Sequence, residues 1–340
     1  MGFLLRLPTS VDWKFWTGCA IALTASFVAN AQDRNDPQAY LGRALDLMQA
    51  QSLHRNQVDW ASVRLTAETK ARGALTPRDT YPAIRTALGM LGDHHSFLQP
   101  STTDVKPTAQ TLNAKQPMPR GEMRGRVAYV WIPHRVEQHW KINSEFCDKL
   151  QAILTELDAL SPIGWIVDLR DNDGGNMWPM LAGIGPLLGE GEVGSFDYGS
   201  DSLSWWYRDG AAGCGVATIC RTTDINYRLR QPIPKVAVLI GPRTASSGEA
   251  IAVAFSARPN TRSFGLPTAG LSTGNATLQL SDGAVMYLTT SVYADRSGRQ
   301  YGGTLTPDLE VPATNPSPKP ALPASDTTID AAVAWLETGG

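Results

Sequence analysis

The chain has 340 residues, a formal net charge of −2 and 42 % hydrophobic residues. That length carries a large core in one to three domains, and the near-neutral balance leaves no electrostatic footprint for nucleic acid or an anionic membrane surface. With 31 Gly and 23 Pro, turns and irregular segments are expected throughout.

Arg6 and Lys14 precede an apolar stretch, residues 15–28, and Ala29-Asn30-Ala31 has the small-x-small pattern of a signal-peptidase site. A spanning helix needs about 20 apolar residues; this stretch is shorter and contains Thr and Ser. Residues 1–31 are therefore expected to be a cleaved export signal, which places the mature chain in the periplasm or outside the cell. Membrane contact is expected only if that segment is retained. Cys19 does not suit lipidation, because Trp16 stands where a lipobox takes Leu and Cys19 lies early in the apolar run.

Residues 37–92 carry helical periodicity: Tyr40, Leu41, Ala44, Leu45 and Met48, then Tyr81, Ile84, Ala87, Leu88 and Leu91, ending at Gly92. Residues 99–120 are rich in Pro, Thr and Gln and read as a linker or surface loop. The pattern then changes. Residues 127–132, 165–169 and 236–240 read as buried strands. Amphipathic or apolar helices are predicted over 136–160, 177–188 and 247–256. Residues 277–294 hold β-rich runs around Ser281-Asp282-Gly283, and a short helix is predicted from Thr327 to Leu336 after the Pro-rich residues 316–323.

Strands alternating with helices imply an α/β fold with a mainly parallel central sheet, flanking helices and an N-terminal helical domain. The expected division is a signal at 1–31, a helical cap and linker at 32–120, a core at 121–315 and a tail with a short helix at 316–340. The tryptophans, Trp131, Trp140 and Trp178 among them, are expected in the core, with Trp205-Trp206 the exception that could line a groove.

Without residues 1–31 three cysteines remain. Cys214 and Cys220 lie close in a Gly-rich segment and form the candidate disulfide of an oxidising compartment. Cys147 lies on a helical pattern and reads as a buried thiol. No CxxC pair and no His at ligand spacing accompanies these cysteines, so no metal is expected, nor any other cofactor.

Three segments carry chemistry. In Ile240-Gly241-Pro242-Arg243-Thr244-Ala245-Ser246-Ser247-Gly248-Glu249 a strand runs through a turn into a helix. A serine there meets backbone N–H groups and the positive end of the helix dipole, which favour an oxyanion; Ser246 or Ser247 would equally serve as a simple helix cap. A serine nucleophile needs a base. Of five histidines, His94 and His95 follow a helix stop, where a side chain projects into a cleft. In Asp168-Leu169-Arg170-Asp171-Asn172-Asp173-Gly174-Gly175 a buried strand enters a turn whose glycines let the backbone approach a ligand. Arg170 reads as a structural partner of a carboxylate.

In this order, the three segments resemble the tail-specific (C-terminal processing) serine protease family. Asp93-His94-His95-Ser96, Asp168 to Gly175, Thr244 to Glu249 and Thr306-Pro307-Asp308-Leu309 follow its motifs, as do Thr268-Ala269-Gly270 and Asp282-Gly283 between the last two. The resemblance implies a ClpP/crotonase-like core, Ser246 as nucleophile and His95 as base. It also implies an oxyanion hole from the Ser247 N–H with a backbone N–H near Gly174 or Gly175, and a peptide or unfolded C-terminal segment as substrate.

Many family members use a lysine just after Thr-x-Gly; Leu271 stands there and cannot accept a proton. The chain therefore resembles the histidine-using branch, similar to the nisin-resistance proteins and the tricorn core. Residues 97–125 are too few for a PDZ module. No supporting glutamate of tricorn type precedes Pro307, which leaves Ser96 or a backbone carbonyl to orient His95. A non-catalytic protein that binds peptides or hydrophobic ligands on the same fold is the competing reading. An α/β-hydrolase esterase is disfavoured because His95 precedes Ser246.

Overall fold

The computed structural model describes residues 36–101, 116–136, 140–223, 226–312 and 326–338. The predicted signal at 1–31 and the Pro-rich residues 316–323 lie outside these, as do 102–115 of the predicted linker. Among the described residues no helix is long and apolar enough to cross a membrane.

Helix α1 (Pro37–Gln51) starts where the Asp36 carboxylate accepts the N–H groups of Gln38 and Ala39, and α2 (Trp60–Lys70) is capped in the same way by Asp59. A 3₁₀ turn (Pro77–Thr80) leads into α3 (Tyr81–Gly89). The apolar stripe of these helices packs on Leu280, Ala284, Met286 and Leu288. Tyr40 and Tyr81 both donate to the Asp282 carboxylate, at 2.7 and 2.5 Å, so the helices are pinned to the hairpin turn that carries Asp282.

Two sheets follow. In the first, β3 (Val127–Trp131), β4 (Trp165–Asp168), β9 (Val236–Ile240), β10 (Thr261–Gly265) and β13 (Leu309–Glu310) run parallel, and β2 (Arg120–Arg124) adds antiparallel beside β3. Strands buried on both faces read as unbroken apolar runs, which is why 236–240 was legible. On one face Val130, Val167 and Val238 pack under α4 (Trp140–Asp158), α5 (Met177–Leu188) and α6 (Ser247–Phe255). On the other, Tyr129, Ile166, Leu239 and Phe264 meet Ile329, Ala332 and Leu336 of α7 (Thr327–Glu337).

The second sheet corrects the expectation of one mainly parallel sheet. It is seven-stranded and antiparallel. Strand β12 (Val285–Asp295) pairs with β1 (Phe97–Gln99), β11 (Thr273–Gln279) and β5 (Gly191–Asp197). The order then continues through β6 (Ser202–Arg208), β7 (Ala211–Cys214) and β8 (Ala217–Arg221). Strands β5 to β8 are not evident in the sequence; glycine interrupts β5 and β7 where side chains need room, and a Cβ on Gly194 would lie 2.7 Å from the Trp205 ring. Trp205 and Trp206 are both buried, so they serve the core rather than an open groove.

Candidate active site

Strand β9 delivers the serine. Past Ile240 the Thr244 hydroxyl donates to the Leu169 carbonyl at 2.9 Å and accepts the Gly241 N–H at 3.0 Å, while the Ala245 N–H reaches the Asn172 carbonyl at 3.0 Å. Ser246 then takes φ 49° and ψ −115°, a sparsely populated conformation that persists only where the surroundings impose it. Helix α6 starts at the next residue.

Glu249 does much of the imposing. Its fully buried carboxylate accepts the Ser246 N–H at 2.9 Å, the Thr268 hydroxyl at 2.5 Å and the N–H groups of Gly270 and Leu271 at 3.0 and 2.8 Å. Burial pushes this carboxyl upward, and those four donors pull it back. Leu271, at the position where a lysine dyad would keep its base, contributes only a backbone N–H to this clamp.

The histidine arrives from α3. Asp93 accepts the N–H groups of His95 and Ser96 at 2.9 and 2.7 Å, and the Ser96 hydroxyl donates to the same carboxylate. Asn275 donates to the His95 carbonyl at 3.0 Å, and Thr289 donates its N–H to the Ser96 hydroxyl at 2.9 Å. The backbone of His95 is thus held by its own turn and by β11 and β12. Its Nε2 lies 3.0 Å from Ser246 Oγ, and its Nδ1 lies 2.7 Å from Thr273 Oγ1. Burial pushes the imidazole down to about 4, with the Asp93 carboxylate pulling partly the other way, so the ring is neutral near pH 7.

Thr273 was not foreseen. Ser96, expected as an orienting group, is engaged with Asp93 instead, and a side-chain hydroxyl replaces the expected backbone carbonyl. The two contacts to His95 span 151 and 178 positions of sequence, and no local pattern marks Thr273. The remaining described histidines lie elsewhere: His94 is exposed, His54 is bonded to the Leu91 carbonyl and His134 meets Asp173 at 3.1 Å.

The glycine turn lies against the serine. Buried Asn172 donates to the carbonyls of Ile132 and Pro133 and accepts the Gly174 N–H at 3.1 Å. Gly174 and Gly175 have φ of 111° and 104°, where a side chain is strained. A Cβ on Gly174 would lie 2.9 Å from Ser246 Cβ, and one on Gly175 2.2 Å from the Arg135 carbonyl oxygen. The Gly175 carbonyl accepts the Ser247 hydroxyl at 2.6 Å. The Gly174 N–H is therefore engaged. Among the described residues the N–H groups of Gly175 and Ser247 have no protein acceptor; Ser247 is the first residue of α6, where such N–H groups lack intrahelical partners.

Arg170 is structural: it forms ion pairs with Asp168 and Asp326 at 2.6 and 2.7 Å, tying β4 to the cap of α7. Among the described residues no cluster of His, Cys, Asp and Glu is arranged to hold a metal. The expected Cys214–Cys220 bridge is not formed. In the β7–β8 ladder Cys214 stands opposite Ala217 and Cys220 opposite Ala212, which offsets the two sulfurs along the hairpin. Cys214 Sγ faces the Leu203 carbonyl, and Cys220 Sγ lies 3.2 Å from Cys147 Sγ.

Residues 126–311, more than half of the chain, match the model of Peptidase family S41. The nisin-resistance protein of Lactococcus lactis subsp. lactis is 28 % identical over 276 residues, 81 % of this chain and 83 % of that protein. Among solved structures, a lipoprotein from Streptococcus agalactiae superposes with a TM-score of 0.71 at 24 % identity, covering 89 % of this chain and 96 % of that one. The photosystem II D1 C-terminal processing protease superposes with a TM-score of 0.55 at 14 % identity, covering 82 % and 93 %. At these identities the two structures speak to the fold. His95 and the helices before it precede the matched family segment.

Proposed function

The chain belongs to peptidase family S41 and is a serine peptidase, and from that premise we propose that it hydrolyses peptides or C-terminal tails by acyl transfer, with Ser246 as nucleophile and His95 as its base. The 3.0 Å contact between Ser246 Oγ and His95 Nε2 carries this reading, since it is within the reach that general-base catalysis needs.

In this scheme Thr273 accepts the Nδ1–H of His95. That leaves Nε2 unprotonated and aimed at the serine. His95 takes the Ser246 proton as Oγ attacks the peptide carbonyl. The N–H groups of Ser247 and Gly175, at the positive end of α6, receive the developing oxyanion. Gly174 is the weaker donor of the pair left open by the sequence, because its N–H already serves Asn172. His95 Nε2–H then protonates the leaving amine, and the same base activates the water that hydrolyses the acyl-enzyme.

The substrate class, an extended peptide or unfolded tail, rests on the family and on the likeness to the nisin-resistance protein. Export to the periplasm or the cell exterior is proposed from residues 1–31 alone. A non-catalytic binding role is less favoured, because it gives no reason to aim a neutral imidazole at a serine in a strained turn.

The test pairs peptide cleavage with labelling by a fluorophosphonate. Wild type should cleave and be labelled at Ser246; Ser246→Ala, still folded, should do neither. Undiminished cleavage by that variant would reject the assignment.

A further inference from the structure

We propose that Cys147 and Cys220 form a disulfide that ties the outer hairpin of the antiparallel sheet to helix α4. Their sulfurs lie 3.2 Å apart and both residues are buried. The bonded distance is about 2.05 Å, so a small rotation of two side chains that already face each other would close the gap.

The neighbouring contacts hold the two backbones in place for this. Ser144 Oγ donates to the Arg221 carbonyl at 3.1 Å, one turn before Cys147. Asp148 accepts the Thr223 N–H and hydroxyl at 2.9 and 2.6 Å. Ser144, Cys147 and Asp148 share one face of the helix, and each meets the chain between 220 and 223. The end of β8, the last strand in its sheet order, is thus docked on α4 at three successive points, with the two sulfurs in the middle.

The chemistry is thiol–disulfide exchange with a small-molecule or protein disulfide. One cysteine thiolate attacks that disulfide, forming a mixed disulfide and releasing one thiolate. The second cysteine attacks the protein sulfur of the mixed disulfide and releases the other. The two protein protons end on the two released thiols, and the protein loses two electrons to the oxidant. In the folded chain the hydrogen bond with Cys220, and then burial, hold the Cys147 thiol well above its ordinary range. Exchange through the thiolate is therefore slow there, and the bond forms during folding, before α4 covers β8. It closes a loop containing β4, the glycine turn, α5 and β5 to β7, which restricts the unfolded chain. The inference stands apart from the peptidase reading, because its test reads covalent mass rather than turnover.

The experiment refolds the full chain in a glutathione redox buffer and, in parallel, in excess reductant. Remaining thiols are alkylated and the chain is digested without reduction. The expected result is a linked pair of peptides containing Cys147 and Cys220, about 2 Da lighter than their sum, with Cys214 alkylated. Reductant should lower the melting temperature by roughly 5 °C or more. Cys147→Ser and Cys220→Ser should show that loss singly and no larger loss together, and should not respond to reductant. Alkylation of both cysteines after oxidative refolding, or a bridge that contains Cys214, would overturn the proposal.

Discussion

His95 Nδ1 is held by the hydroxyl of Thr273 at 2.7 Å. In place of the carboxylate of a Ser-His-Asp triad, the histidine leans on a neutral acceptor, which can fix its tautomer while adding no negative charge to steady the imidazolium formed in the reaction.

Replacing that hydroxyl should therefore cost turnover more than binding. Thr273→Val should lower kcat about 10-fold with KM nearly unchanged, the effect of one hydrogen bond worth about 1.4 kcal/mol. Thr273→Ser should stay within about 2-fold of wild type. Steady-state kinetics on a peptide substrate check both, and equal losses in the two variants would remove Thr273 from the role.

Burial holds the folded His95 at about 4, below the ordinary value of about 6.5. Between those values the unfolded chain binds a proton that the folded chain does not. The contribution to stability is complete above about pH 6.5 and is lost as pH falls towards about 4, by up to ~3 kcal/mol. Urea midpoints at pH 7 and 4.5 should differ less in His95→Gln than in wild type. The acid limb of kcat/KM should likewise lie near pH 4, well below that of an exposed histidine.

Glu249 clamps the serine turn to residues 268–271 through four donors. Glu249→Gln keeps the shape but turns an amide towards backbone N–H groups. It should lower the unfolding free energy by about 2 kcal/mol and kcat by more than about 10-fold, with Ser246 poorly labelled by fluorophosphonate. Thermal melts and labelling rates test this together.

The left-handed φ of Gly175 and the 2.2 Å approach to the Arg135 carbonyl leave no space for a methyl group. Gly175→Ala should displace the N–H assigned to the oxyanion and reduce kcat by about 10²-fold, while a melt reports whether the turn still folds. Unchanged kcat in a folded variant would move the oxyanion donor elsewhere.

The segments of the candidate site can be found in the sequence because each is local, and it is their resemblance to the family's motifs that singles out Ser246 and His95 among them. A strand, a turn and a helix start bracket Ser246. A helix stop precedes His95, paired glycines follow a buried strand, and Leu271 by its chemistry removes the lysine mechanism. Strands β3, β4 and β9 and helix α7 were legible for the same reason, since their apolar spacing lies within a single element, whereas the parallel strands β10 and β13 were not. Four features were decided only by tertiary structure. They are Thr273 as the partner of His95, Gly175 rather than Gly174 as the unengaged N–H, Cys147 rather than Cys214 beside Cys220, and the antiparallel sheet. Each depends on the order and register in which distant strands and helices pack, and short-range periodicity and turn chemistry carry no record of that order.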